Sequence, residues 1–206
     1  MGVLIRVLFW PCSVLHTGRG LFFWYTVDMH GLIFLELKKF VESLGEGTWD
    51  KLRQAAGLGD KVFLPIQEYA DADAIALITS ASQLIGKSTN EVLELFGEFI
   101  APDLIKMYQA LIDPAWRTLD LLEHTEETIH KVVRLQNPGA KPPRLQVTRL
   151  SATEAILRYD SPRKMCALAK GIITGLAKYY QETVTTKDQK CMLRGDPACE
   201  INVFVK

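Results

Sequence analysis

Apolar residues after Met29 recur every three to four positions: Ile33, Leu37, Phe40, Val41 and Leu44, ending at Gly45. This spacing predicts an amphipathic helix stopped by glycine. The same punctuation repeats downstream. Thr48 stands where it can cap "WDKLRQAA", which Gly57 closes; Asp71 or Asp73 opens "AIALITSASQLIG"; Ser88 with Glu91 makes a capping box ahead of "VLELFGEFI". Asp113 with Pro114 starts a further helical stretch through Leu122. Near Pro138 the period changes. In "PRLQVTRLSATEAILRYDSPR", Leu145 and Val147 alternate, a polar turn follows at Ser151, and Ile156 to Tyr159 are strand formers, which predicts a β-hairpin. A long helix follows in "KMCALAKGIITGLAKYYQET", with Met165, Leu168, Ile172, Leu176 and Tyr179 in one stripe. "CMLRGDPACEINVFVK" reads as a closing hairpin that turns at Gly195-Asp196-Pro197. The expected class is α+β: a helical lobe, then an antiparallel sheet with a helix inserted.

Residues 1–28 stand apart. Their apolar runs are broken by Arg6, Pro11, His16 and Arg19, too short for a membrane span and poorly formed for a signal peptide. They read as a doubtful extension, with Met29 as the expected start of a single domain over 29–206.

Composition narrows the function classes. The chain has 206 residues, 48% of them hydrophobic, with 24 basic and 24 acidic side chains. That is a globular profile with no global field for nucleic acid or anionic lipid, so ligands must be recognised locally. Four cysteines in a chain this long do not make a secreted disulfide framework, and a reducing cytoplasm is expected. Three of them, Cys166, Cys191 and Cys199, fall late in the chain and raise the question of metal or redox chemistry.

Two local patterns carry candidate chemistry. In "EETIHKVVRLQNPGAKPPRL", His130 borders the apolar stripe of a charged helix. His124 lies six residues away, off that face, so a two-histidine metal site is excluded. His130 is then either an ordinary packed histidine or a lone imidazole ligand, the arrangement used for haem iron. In "YDSPR", an extended backbone puts Tyr159, Ser161 and Arg163 on one face, either a polar strand edge or a receptor for carboxylates.

Taken together and in order, these patterns resemble the haem nitric oxide/oxygen binding (H-NOX) family. The resemblance begins at "MHGLIFLELKKFVESLGEGTWDKL", passes through "LFGEFI", the His130 helix and "LRYDSPRKMCALAKGIITGLAKYY", and runs to the end. It implies a ferrous haem b between a helical lobe and an α+β lobe containing a four-stranded antiparallel sheet. His130 would be the proximal ligand, Tyr159, Ser161 and Arg163 would hold the propionates, and Pro143 would press on the haem. Members that bind oxygen place a tyrosine five residues after the motif arginine; here that position is Leu168. Leu37 and Ile33 complete a distal side without a donor. Oxygen would lack a hydrogen bond of about 1.5 kcal/mol or more that nitric oxide does not need. The resemblance thus implies a nitric oxide sensor in which the iron–His130 bond breaks. A subset of the family is similar here too, with three cysteines and a histidine as zinc ligands; Asp188 stands at the histidine's place, giving Cys166, Asp188, Cys191 and Cys199 as the expected set.

Three classes compete at this point. A gas-sensing haem module without catalysis is favoured, since no nucleophile–base pair or phosphate-binding glycine loop is evident; a haem enzyme usually needs distal polar groups, and Leu168 argues against it. A zinc-thiolate redox or small-molecule binding domain is the third. No cyclase or kinase segment is evident in the sequence, so a separate output partner is expected, and the family resemblance implies a bacterial sensor histidine kinase or a cyclic-di-GMP synthase or phosphodiesterase.

Overall fold

The computed structural model describes residues 28–206; the expected amino-terminal extension, Asp28 apart, lies outside them. The first half is helical. A short strand β1 (Asp28–His30) leads into α1 (Gly31–Glu42), then α2 (Thr48–Ala55), strand β2 (Glu68–Ala70), α3 (Asp71–Ile85) and α4 (Thr89–Tyr108). β1 and β2 pair antiparallel, with Met29 opposite Tyr69 and His30 opposite Glu68. This small ribbon was not expected from the sequence. Its three-residue strands are too short to show a period.

The expected caps largely hold. Ser88 and Glu91 form a reciprocal capping box, and Gly86 ends α3 in the left-handed region. At α2 the cap is Gly47, with Thr48 as the first helical residue. α4 extends well past the predicted segment, through Pro102 to Tyr108. Proline inside a helix removes a hydrogen bond, but burial of Ile100, Ala101 and Ile105 around it holds the helix together. The expectation that Asp113 and Pro114 begin a helix is corrected. Asp113 instead closes a turn, accepting from Ala115 N through Oδ1 (2.8 Å) and from Trp116 N through its carbonyl (3.0 Å).

A helical run then begins at Thr118 in three consecutive pieces: α5 (Thr118–His124), a π-helical segment (Thr125–His130) and α6 (Lys131–Gln136). α5 buries Thr118, Leu119, Leu121 and Leu122, whereas neither the π segment nor α6 buries a residue. His130 is the last residue of the π segment.

The second half is a four-stranded antiparallel sheet in the order β3-β4-β6-β5, formed by β3 (Arg144–Arg149), β4 (Glu154–Asp160), β5 (Val184–Lys190) and β6 (Cys199–Val205). Helix α7 (Cys166–Tyr179) lies between β4 and β5 in sequence. Ala155, Leu157, Tyr159, Ile201 and Val203 alternate onto the buried face, in one core cluster with Ile173 and Leu176 of α7. The first hairpin matches expectation. The second does not: β6 pairs with β5, "VTTKDQK", upstream of the segment predicted. This edge strand is largely polar, so no apolar alternation marked it.

α7 packs directly on α4. A Cβ at Gly97 would come within 2.3 Å of the Leu168 carbonyl oxygen, and one at Gly171 within 2.1 Å of the Glu94 carbonyl oxygen. Only hydrogen at these positions lets the two backbones approach so closely. Among the described residues no helix is long and apolar enough to cross a membrane.

Candidate functional site

The two lobes enclose a cavity of about 300 Å³. Its walls are mostly aliphatic: Ile33 from α1, Leu104 from α4, Ile129 from the π segment, Leu168 and Ile172 from α7. Polar groups enter at few points.

His130 is one of them. Its Nδ1 lies 3.0 Å from Glu126 Oε2, one turn earlier on the same helix. An ionised carboxylate can only accept, so Nδ1 carries the proton and Nε2 keeps its lone pair for a metal. Glu126 is itself held by Arg134 Nη2, which donates to Oε1 at 2.6 Å, and by the Leu145 amide, which donates to Oε2 at 3.1 Å. Burial works to raise the Glu126 carboxyl, but these three donors hold it below its usual range. Burial likewise pushes the His130 imidazole below its ordinary value, against the pull of Glu126, which favours the neutral ligand form.

Tyr159, Ser161 and Arg163 all line this cavity. They do so differently from an extended strand. β4 ends at Asp160, and Ser161 opens a turn in which its carbonyl accepts from Lys164 N (3.0 Å) and its Oγ from Arg163 N (3.3 Å). Tyr159 is 4% exposed and Ser161 2%. Burial pushes the Tyr159 hydroxyl up to about 12, so it stays a donor at neutral pH. Arg163 donates from Nε to Asp71 Oδ1 (2.8 Å) and from Nη1 to the Lys141 carbonyl (2.6 Å), tying the motif to the start of α3 in the helical lobe.

Pro143, Leu168 and Ile33 also line the cavity. Leu37 does not. At 2% exposure it is packed in the helical core with Phe34, Phe40 and Phe96. It lies one turn beyond Ile33, and helical spacing alone could not tell a core-facing position from a cavity-facing one.

Residues missed by the sequence reading also line the cavity: His30, Tyr108 and Asn137. His30 Nδ1 accepts weakly from Leu32 N at 3.4 Å, while its Nε2 is buried with no hydrogen-bond partner among the described residues. A buried nitrogen without a partner is costly, and its place on this wall fits a cavity built for a ligand with polar edges. A broad apolar cofactor with one metal and peripheral carboxylates matches the donor set: one imidazole, a Tyr-Ser-Arg cluster and an unpartnered histidine nitrogen.

A family model described as haem-NO-binding matches residues 30–188. The chain belongs to that family. Solved H-NOX proteins share the fold of this domain. One from S. oneidensis in the Fe(II)NO ligation state superposes with a TM-score of 0.80 at 23% identity, covering 86% of this chain and 99% of that one. Another, from K. algicida in the unliganded Fe(II) state, superposes with a TM-score of 0.75 at 19% identity, covering 86% and 97%. A curated protein, soluble guanylate cyclase gcy-31 of Caenorhabditis elegans, is 24% identical over 138 residues. The match takes in 66% of this chain but only 20% of that protein's length.

This H-NOX domain carries a second cluster. Cys166 at the start of α7, Cys191 after β5 and Cys199 at the start of β6 are all buried, with their sulfurs within 4.8 Å of one another. Cys166 Sγ and Cys191 Sγ are 3.8 Å apart. The Cys191 amide donates to Asp196 Oδ2 (2.8 Å) and the Met192 amide to Cys199 Sγ (3.2 Å), which fixes the connecting loop around the sulfurs. Burial, with the neighbouring thiols, pushes the Cys166 thiol up to about 12. Asp188, expected as a fourth ligand, is not in this group. It faces α7 from β5 and is drawn to Lys170 Nζ at 3.3 Å, and a register shift separates it from Lys190 just before Cys191.

Proposed function

We propose that this H-NOX domain is a haem-based nitric oxide sensor that discriminates against oxygen and regulates a signalling partner. The Glu126–His130 pair carries this reading: it fixes the tautomer of an imidazole on the cavity wall and leaves Nε2 free to hold iron. Haem b, when bound, supplies a ferrous iron that takes up diatomic gases. Tyr159, Ser161 and Arg163 would bind its propionates, with His30 Nε2 as a further partner, and Pro143 would press on the haem from the His130 side. Leu168 and Ile33 offer the gas only aliphatic surface, which withholds the hydrogen bond that oxygen needs, worth about 1.5 kcal/mol or more.

His130 would be the residue that holds the iron, and its release would be what switches the domain. The π segment and α6 fully bury no residue, so they meet the cavity through the half-buried Ile129 and Val133 and through the imidazole held by Glu126. Once released, they can take a second position that a partner protein reads. The C. elegans relative is a guanylate cyclase; for this chain the output is a bacterial sensor histidine kinase or a cyclic-di-GMP synthase or phosphodiesterase.

Absorption spectra of ferrous protein alone, in air and with nitric oxide test the reading. The expected result is no change in air and, with nitric oxide, the spectrum of iron released from histidine. H130G should lose haem unless imidazole is supplied. A stable oxygen complex would overturn the selectivity, and Y108F or H30A would then locate the donor responsible.

A second reading applies to the cysteine cluster. Three buried sulfurs this close suit one zinc ion, and we propose Cys166, Cys191 and Cys199 as its ligands, with a fourth ligand other than Asp188.

A further inference from the structure

Glu126 faces two ways. Oε2 accepts from His130 inside the fold, while Oε1 accepts from Arg134 at 2.6 Å on the outer side of the helix. There Glu126 and Arg134 form one wall of an open pocket of about 450 Å³. The opposite wall is the solvent face of the β3–β4 hairpin, with Arg144, Gln146, Arg158 and Asp160. Register places Arg144 opposite Asp160 and Gln146 opposite Arg158, so the four share one face and the two arginines are diagonal neighbours. Among the described residues neither Arg144 nor Arg158 makes an ion pair or side-chain hydrogen bond, although Asp160 is directly across from Arg144. The lining holds three guanidinium groups and two carboxylates, and Arg134 already answers Glu126. Two guanidinium forks therefore face one carboxylate, an excess of positive charge in a concave site.

We propose that this pocket binds a small phosphate-class oxyanion, and that its occupancy draws Arg134 off Glu126 and tightens the hold of Glu126 on His130. Guanidinium forks match the geometry of phosphate oxygens. Without Arg134, the Glu126 carboxylate concentrates its charge on the His130 Nδ1 proton, which makes the imidazole a stronger donor through Nε2. The bound oxyanion thereby opposes release of His130 and damps the gas response. This coupling rests on His130 as the haem ligand; the binding site itself does not.

Calorimetric titration of the haem-loaded ferrous protein with inorganic pyrophosphate at low ionic strength should show saturable binding. The R144Q/R158Q variant, altered only on the exposed sheet face, should bind at least tenfold more weakly, and sodium chloride at equal ionic strength should give no saturable heat. Absence of saturable binding, or binding equal in the variant, overturns the site. Resonance Raman spectra of the same samples read the coupling: the iron–histidine stretching band should move to higher frequency with pyrophosphate in the parent protein and stay in place in the variant. A fixed band despite saturation overturns the coupling while supporting the site. An iron–histidine band missing before any pyrophosphate is added overturns the His130 reading and with it the coupling, leaving calorimetry to decide the site.

Discussion

Across the cavity from each other, the α4–α7 seam and the His130 helix are held by different means. At the seam, Gly97 and Gly171 let the backbones come close enough that any side chain there would strike a carbonyl oxygen. The His130 helix fully buries residues only along α5. Beyond it, Ile129 packs half-buried against the core and, with Val133, lines the cavity, and the remaining attachment is polar, with Glu126 reaching His130, Arg134 and the Leu145 amide. At the α5 end, Arg149 of β3 adds ion pairs to Asp120 and Glu123. Close packing resists small displacements steeply, whereas half-buried polar contacts can exchange for water at lower cost. One wall is thus a fixed support, and the other can move against it.

The largest expected effect comes from breaking the support. G171V puts a branched side chain where a single Cβ already lies 2.1 Å from the Glu94 carbonyl oxygen, and should cost about 3 kcal/mol or more; thermal denaturation would register it. Next is the proposed zinc. If Cys166, Cys191 and Cys199 hold one ion, a chelator should remove it and lower the melting temperature, because these residues join the start of α7 to the sheet; metal analysis before and after counts the ion per chain.

On the mobile wall, E126Q should leave stability within about 1.5 kcal/mol while weakening the haem bond, with an expected loss of about 10-fold in haem affinity. Equal losses of stability in E126Q and G171V would erase the contrast between the walls. The smallest effect concerns the α1–α4 contact beside the support, where Lys39 Nζ meets Asp103 Oδ2 at 2.8 Å and Glu36 Oε1 at 2.7 Å. The bond from Lys39 lowers the Asp103 carboxyl, so its contribution is present above the ordinary carboxylate range and lost as pH falls through the depressed value. Asp103, assisted by Glu36, raises Lys39, whose contribution is lost only as pH climbs through its elevated value. Both groups are exposed enough that D103N should cost under about 1 kcal/mol at neutral pH, with the difference from the parent fading in acid melts.

Much of this contrast was legible before the fold. The caps of α3 and α4, the β3–β4 hairpin and α7 follow from local periodicity, and "YDSPR" marks one wall of the cavity. The remainder depends on contacts between distant parts of the chain. Asp71 could be read as the start of a helix, but not as the partner of Arg163, 92 residues away. Asp188 was expected to reach the sulfurs, yet Lys170, a competing charge on the facing helix, claims it. β5 carried no apolar alternation because it is a polar edge strand. His30, next to the buried Met29, gave no sign that its ring would face a cavity. The π segment was also hidden, because no residue type marks a shift from four-residue to five-residue hydrogen bonding.

That segment has a mechanical consequence. A π turn is a helix with one residue inserted. If Thr125–His130 returned to α-helical spacing, everything after it would advance by about 1.5 Å and turn by about 100°. The backbone would exchange one set of hydrogen bonds for another without melting. His130 ends this inserted turn, so if it holds the iron as we propose, its grip would act as the pawl of a ratchet, keeping α6 one notch out of step with α5 until the imidazole lets go.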